Sequence, residues 1–217
     1  MNKKIIPPRG KQKTIPLGAL LAWAENLLLW SVFGALPPLF GFLAGWWLSV
    51  FRVPDERVIW FALGGLALGV LVDLLWLPRV VRYAYSLPWS VPVFVYLFYS
   101  VGMLGFFMGV PVFNVLLGAL AGFYSGRRIH HQKIEPQAGK GIVHVTALFA
   151  AGVLGLACAA AMVIASCSAS TPADIAGIFG IAQKPTMGFI LGISALAGIG
   201  LVVGEYWLAK KAAEIAL

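Results

Sequence analysis

Four ionisable side chains stand in or at the ends of long apolar runs: Glu25, Asp73, His144 and Glu205. A charge inside a bilayer is costly, so such residues face protein or water and mark ion pairs, partner contacts or solute paths. Asp73 follows Gly65 and Gly69 in steps of four. It therefore shares their helix face and is expected to point at other helices, not at lipid. Glu205 precedes Lys210 and Lys211 by about one turn, His144 opens an apolar run, and Arg127 closes one. The expectation is an ion-pair network at one membrane face, joining Asp73 and Glu205 to Arg79, Arg82 or Arg127, with no charge near the midplane. Asn114 is spaced with Gly118, Gly122 and Gly126. It is placed to hydrogen-bond a neighbouring helix or a solute. Tyr96, Tyr99 and Ser100 add polar atoms to the preceding run, where they could face a cavity.

Other chemistry is poorly served. His130 and His131 are adjacent, so on a helix they point apart and do not share a metal, and neither HExxH nor CxxC supports them. Cys158 and Cys167 are nine apart and read as small packing residues. Ser125 has no placed general base beside it, and the acids lack the clustering of a metal-dependent phosphotransferase. No catalytic residue, cofactor or metal ligand is assigned, and the balance of motifs is against an enzyme.

The elements that must position these residues are membrane helices. The chain has 217 residues, 60% hydrophobic and 11% charged, where soluble domains carry about a quarter charged residues. Apolar runs near 27–51, 57–77, 89–109, 111–126, 142–165 and 186–208 give an all-α, six-helix transmembrane bundle. Pro37 and Pro38 could split the first run into two, making seven. Cytoplasmic connections are enriched in Lys and Arg. Six spans with both termini inside put thirteen basic residues on the inner side and Arg52, Arg57 and Lys184 outside, whereas seven spans divide them equally. The proline pair is therefore read as a kink. Trp46, Trp47 and Trp60 fall at outer ends and the other five tryptophans near inner ends, as interfacial residues do.

Residues 1–26 form a basic tail and an interfacial amphipathic segment, 27–209 the membrane domain, and 210–217 a cytoplasmic tail. No small-x-small cleavage site follows the first span, so an uncleaved anchor is expected. Thr171-Pro172-Ala173-Asp174 predicts a short outer helix near 172–181, capped by Thr171.

Glycines recur four apart at Gly41/Gly45, Gly65/Gly69, Gly105/Gly109, Gly188/Gly192 and Gly200/Gly204, and as the triplet Gly118/Gly122/Gly126. Such faces let helix backbones approach, within one chain or in a homo-oligomer. Gly64 to Asp73 and Gly118 to Gly122 give the chain a texture that resembles the substrate-binding subunits of energy-coupling-factor transporters. The resemblance lies in composition and implies a six-helix fold that binds a small solute. It brings no ligand-reading motif and no binding residues.

Three functional classes follow. The first is small-solute transport or binding within the bundle. The second is a non-catalytic subunit that anchors a larger complex, its basic inner face meeting a cytoplasmic or membrane protein partner or anionic lipid. The third is a lipid-modifying enzyme. The +8 net charge lies in short connections, so it orients the chain in the lipid bilayer and does not signal nucleic acid. A prokaryotic inner membrane is the expected compartment.

Overall fold

A computed structural model describes residues 17–107, 109–180, 183 and 185–217. The expected basic tail at 1–14 and Lys184 lie outside the described residues. Seven α-helices follow in order: α1 (Leu17–Ser49), α2 (Asp55–Tyr83), α3 (Ser90–Phe106), α4 (Asn114–Gln132), α5 (Pro136–Cys167), α6 (Thr171–Phe179) and α7 (Met187–Ala216). Short 3-10 turns at Ala84–Ser86 and Pro111–Phe113 precede α3 and α4, and no strand occurs among the described residues.

Four helices, α1, α2, α5 and α7, are long and apolar enough to cross a membrane; α3 is apolar but shorter. Helix α1 runs unbroken through Pro37 and Pro38, and the expected interfacial segment before residue 27 is continuous with it from Leu17. Helix α4 extends past the apolar run that predicts it, because Arg127 to Gln132 keep helical backbone up to Lys133, which is left-handed. Helix α6 starts one residue before the Thr-Pro-Ala-Asp signal places it, so Thr171 is its first residue and not its cap. Its flanking residue is Ser170, whose hydroxyl donates to Asp174 at 2.8 Å, while the Thr171 hydroxyl donates to the Ala165 carbonyl. Gly180 ends it at φ +62, a conformation an L side chain resists.

Burial is sorted by size. Ala62, Ala147, Ala150, Ala209 and Ala213 are buried, while Leu68, Leu74, Leu156 and Leu196 point outward. In water that arrangement would fail; against lipid tails it is stable, since only close packing distinguishes protein from solvent. Two glycine seams carry that packing. On α1 and α2, a Cβ added at Gly41, Gly45, Gly65 or Gly69 would collide with the other helix's backbone. The contacts Gly41–Gly65 and Pro37–Gly69 make the pair antiparallel. On α4, Gly118 meets Glu205, Gly122 meets Ala209 and Gly126 meets Ala213, so α4 and α7 run parallel in steady register. Helix α5 closes on α7 at Cys158 and Gly198. Among the described residues, Gly105, Gly109, Gly188, Gly192, Gly200 and Gly204 meet no atom within 4 Å of an added Cβ. Half of the expected packing faces therefore lie open.

This division is testable in the purified protein. Gly65→Ala drives a methyl into the Gly41 carbonyl and should lower stability by about 1–3 kcal/mol. Gly192→Ala enters open space and should leave the thermal midpoint in detergent unchanged or raised.

Candidate functional site

Polar groups gather at the end of the bundle where α1 and α5 begin and α2, α4 and α7 finish, called here the basic end. Arg127 and His131 stand one turn apart on α4, so both reach one partner. That partner is Glu25 of α1. Arg127 Nε donates to its Oε2 at 2.7 Å, and His131 Nε2 lies 2.7 Å from its Oε1. The Tyr85 ring stacks on His131 with centroids 4.7 Å apart. Gln132 donates to the Tyr85 carbonyl, and the Tyr124 hydroxyl donates to the Ala84 carbonyl at 2.6 Å. Helix α1, the link between α2 and α3, and α4 are thus clamped together. The sequence expectation gives Arg127 to Asp73 or Glu205 and leaves out His131. The available signal was the four-residue spacing of Arg127 and His131.

Asp73 is half-buried on the Gly69 face and makes no hydrogen bond or ion pair among the described residues. His144 is exposed and sits 2.9 Å from the Tyr206 hydroxyl, tying α5 to α7.

Glu205 departs most from expectation. It is not an interfacial acid beside Lys210 but is 0% exposed between helices. The reason is that α7 continues to Ala216, so Glu205 lies about three turns before its end and the lysines do not mark the edge of the bundle. Gly118 makes room for its side chain, and the Tyr96 hydroxyl donates to Oε1 at 2.9 Å. Asn114, also buried, donates through Nδ2 to the Ser100 carbonyl at 3.1 Å. Glu205 Oε2, Asn114 Oδ1 and Ser100 Oγ have no partner among the described residues. No cationic side chain among the described residues pairs with Glu205.

Beside this cluster a cleft of about 720 Å³ opens between α1, α3, α4 and α5. Val32, Phe33, Val95, Leu117, Ala121 and Phe149 are among its apolar walls. Three tyrosines also line it, but their hydroxyls are engaged elsewhere: Tyr96 with Glu205, Tyr99 with the Val32 carbonyl, and Tyr124 with the Ala84 carbonyl. They turn rings, not donors, to the cleft. Val145 at its rim is 65% exposed and Trp89 is 41% exposed, so the cleft opens sideways through the bundle wall. The Trp89 ring in turn covers Arg128, whose guanidinium carbon lies 4.1 Å from the ring centroid. A second hollow, of about 770 Å³, lies at the basic end among His130, Lys133, Lys140 and Lys210.

Apolar helices of spanning length, large side chains outside and small ones within, define the class: a multi-pass helical membrane protein. No protein-family model matches the chain, and no curated protein or solved structure matches it either.

The two buried acids should respond differently to loss of charge. Glu25→Gln breaks an ion pair that holds two basic side chains and should cost about 3 kcal/mol of stability. Glu205→Gln keeps an acceptor for Tyr96 and has no cation to abandon, so its cost should stay under about 1 kcal/mol. Equal losses in thermal melts of the two variants would refute the assignment.

Proposed function

We propose that this protein binds a small amphipathic solute in the cleft between α1, α3, α4 and α5, and that the solute enters sideways from the bilayer. The observation that carries the reading is the cleft's wall: its tyrosine hydroxyls are engaged with the protein, and its rim is open where α5 faces outward. The volume lies within the roughly 300–1,000 Å³ range of small-molecule sites. A wall of this kind offers burial to an acyl or ring system and few directed hydrogen bonds to a sugar or an amino acid. It favours solute binding over the anchoring and enzymatic readings, for which no comparable feature stands out.

The same proposal sets the protein in the membrane with both termini on the cytoplasmic side and six passes. The α3–α4 hairpin contains the shortest of these, α3, with 17 residues, at the lower limit of spanning length. Its ends both return to the basic end, so the distribution of Lys and Arg suits this orientation.

Two measurements test the proposal. Gly141 lines the cleft, and an added Cβ there meets nothing within 4 Å. Gly141→Phe should therefore fold normally while obstructing the cleft. Native mass spectrometry after release from lipid nanodiscs should find an amphiphile retained on the wild type and lost from the variant; equal retention sinks the binding reading. For orientation, the exposed thiol of Cys167 at the far end of α5 should react with a membrane-impermeant maleimide in sealed cells. A cysteine at Gln137, placed in a Cys167→Ser background, should react only after permeabilisation. The reverse pattern overturns the topology.

A further inference from the structure

We infer that the amphiphile's head group is an anion seated against Arg128, and that the occupant is an anionic lipid of the leaflet next to the basic end. This rests on the cleft reading above and adds the chemical class of its ligand.

Arg128 continues the α4 stripe of Leu117, Ala121 and Tyr124 that lines the cleft, one turn further toward the basic end. It is 6% exposed, and its Nε and Nη1 have no acceptor among the described residues. An unpaired buried charge is strongly destabilising. A buried carboxyl can escape the cost by taking up a proton; a guanidinium has no such exit, because it stays charged.

No Asp or Glu of the chain supplies the missing counter-charge. All eight of its Asp and Glu residues are among those described. The ion pairs among the described residues join Glu25 to Arg127 and His131, and Glu214 to Lys211. The Trp89 ring supports the flat face of the guanidinium but offers no lone pair to its in-plane N–H groups, and the adjoining Tyr124 hydroxyl is neutral and brings no counter-charge. The surroundings reinforce the anion preference. Helix α5 starts at Pro136 with no side-chain cap, and Gly139 packs on Ile129, the neighbour of Arg128. The free N–H groups and positive dipole end of α5 therefore border the cleft's basic end. Ala138, in that first turn, lines the cleft.

A phosphate or carboxylate held by the planar fork of Arg128, with its hydrocarbon tail along Phe33 and Phe149, satisfies both halves of the site at once. Free phosphate would satisfy only the first. The apolar cleft, whose Trp89 wall rests on the guanidinium, therefore selects the lipid as the source.

The test uses the full chain in nanodiscs that contain phosphatidylglycerol and phosphatidylcholine with identical acyl chains, read by native mass spectrometry. The wild type should retain phosphatidylglycerol over phosphatidylcholine by at least about tenfold. Arg128→Met should lose that preference, still retain lipid, and melt no lower than the wild type, because it removes an unpaired buried charge. Arg128→Lys keeps the charge without the fork and should keep a weakened preference. It carries the test if the Met variant does not fold. Retention without head-group preference, still sensitive to Gly141→Phe, overturns the anion and leaves the cleft reading standing. No retained lipid of either kind overturns both. A preference unchanged in Arg128→Met moves the seat elsewhere and overturns the assignment. Inorganic phosphate alone, raising the melting temperature as much as phosphatidylglycerol does, would identify a soluble-anion site and overturn the lipid.

Discussion

Helices α4 and α7 lie with backbone against backbone, Gly122 to Ala209 and Gly126 to Ala213, and most of the functional geometry takes its position from that seam. Lipid tails are as apolar as leucine, so helices gain little by hiding side chains from lipid and much by packing closely. Glycine on α4 supplies that approach, and at Gly118 it supplies the space that Glu205 fills. With one face of α4 committed to α7, its other faces are free for other work. One carries Tyr124 along the cleft and Arg128 against the Trp89 ring, and another presents Arg127 and His131 to Glu25.

The clamp at Glu25 has a consequence for the cleft. Helix α1 meets α2 through its far half, at Pro37, Gly41 and Gly45. Its near half is held to α4 by Glu25 and to α3 by the bond from Tyr99 to the Val32 carbonyl. That near half forms one wall of the cleft. The opposite wall is α5, which is joined to α7 by His144 and Tyr206 and by the Cys158–Gly198 contact. The cleft thus lies between α1 and α5, each tied to the α4–α7 pair, with α3 and α4 at its back. The buried polar cluster of Tyr96, Ser100, Asn114 and Glu205 adjoins it through Tyr96, which touches both.

Helix class, the approximate place of each helix and the breaks between them were legible in the chain, because they depend on local matter. Apolar runs of spanning length, the Thr-Pro-Ala-Asp start of α6 and the small residues at steps of four all act within a few turns of themselves. Which glycine faces would be covered was not legible. Gly41/Gly45 and Gly188/Gly192 look alike as sequence, yet the first pair is in backbone contact and the second faces open space. In a soluble helix the apolar stripe names the buried face; here large apolar side chains point outward as readily as inward, so periodicity loses that meaning.

The site followed the same division. Sequence alone singled out Glu25, Asp73, Asn114, Arg127, His144 and Glu205 as the polar groups worth attention, since each is expensive where it stands. Only the tertiary structure decided their partners: Arg127 with Glu25 and not with Glu205, Glu205 with Tyr96, and Asp73 with none among the described residues. It also brought forward Arg128, His131 and Trp89, which the sequence hides in a basic helix end and an interfacial tryptophan. Helix formation is settled by hydrogen bonds four residues apart, so the sequence can determine it. Pairings across more than a hundred residues depend on helix rotation and depth, and those are set only when the glycine seams close.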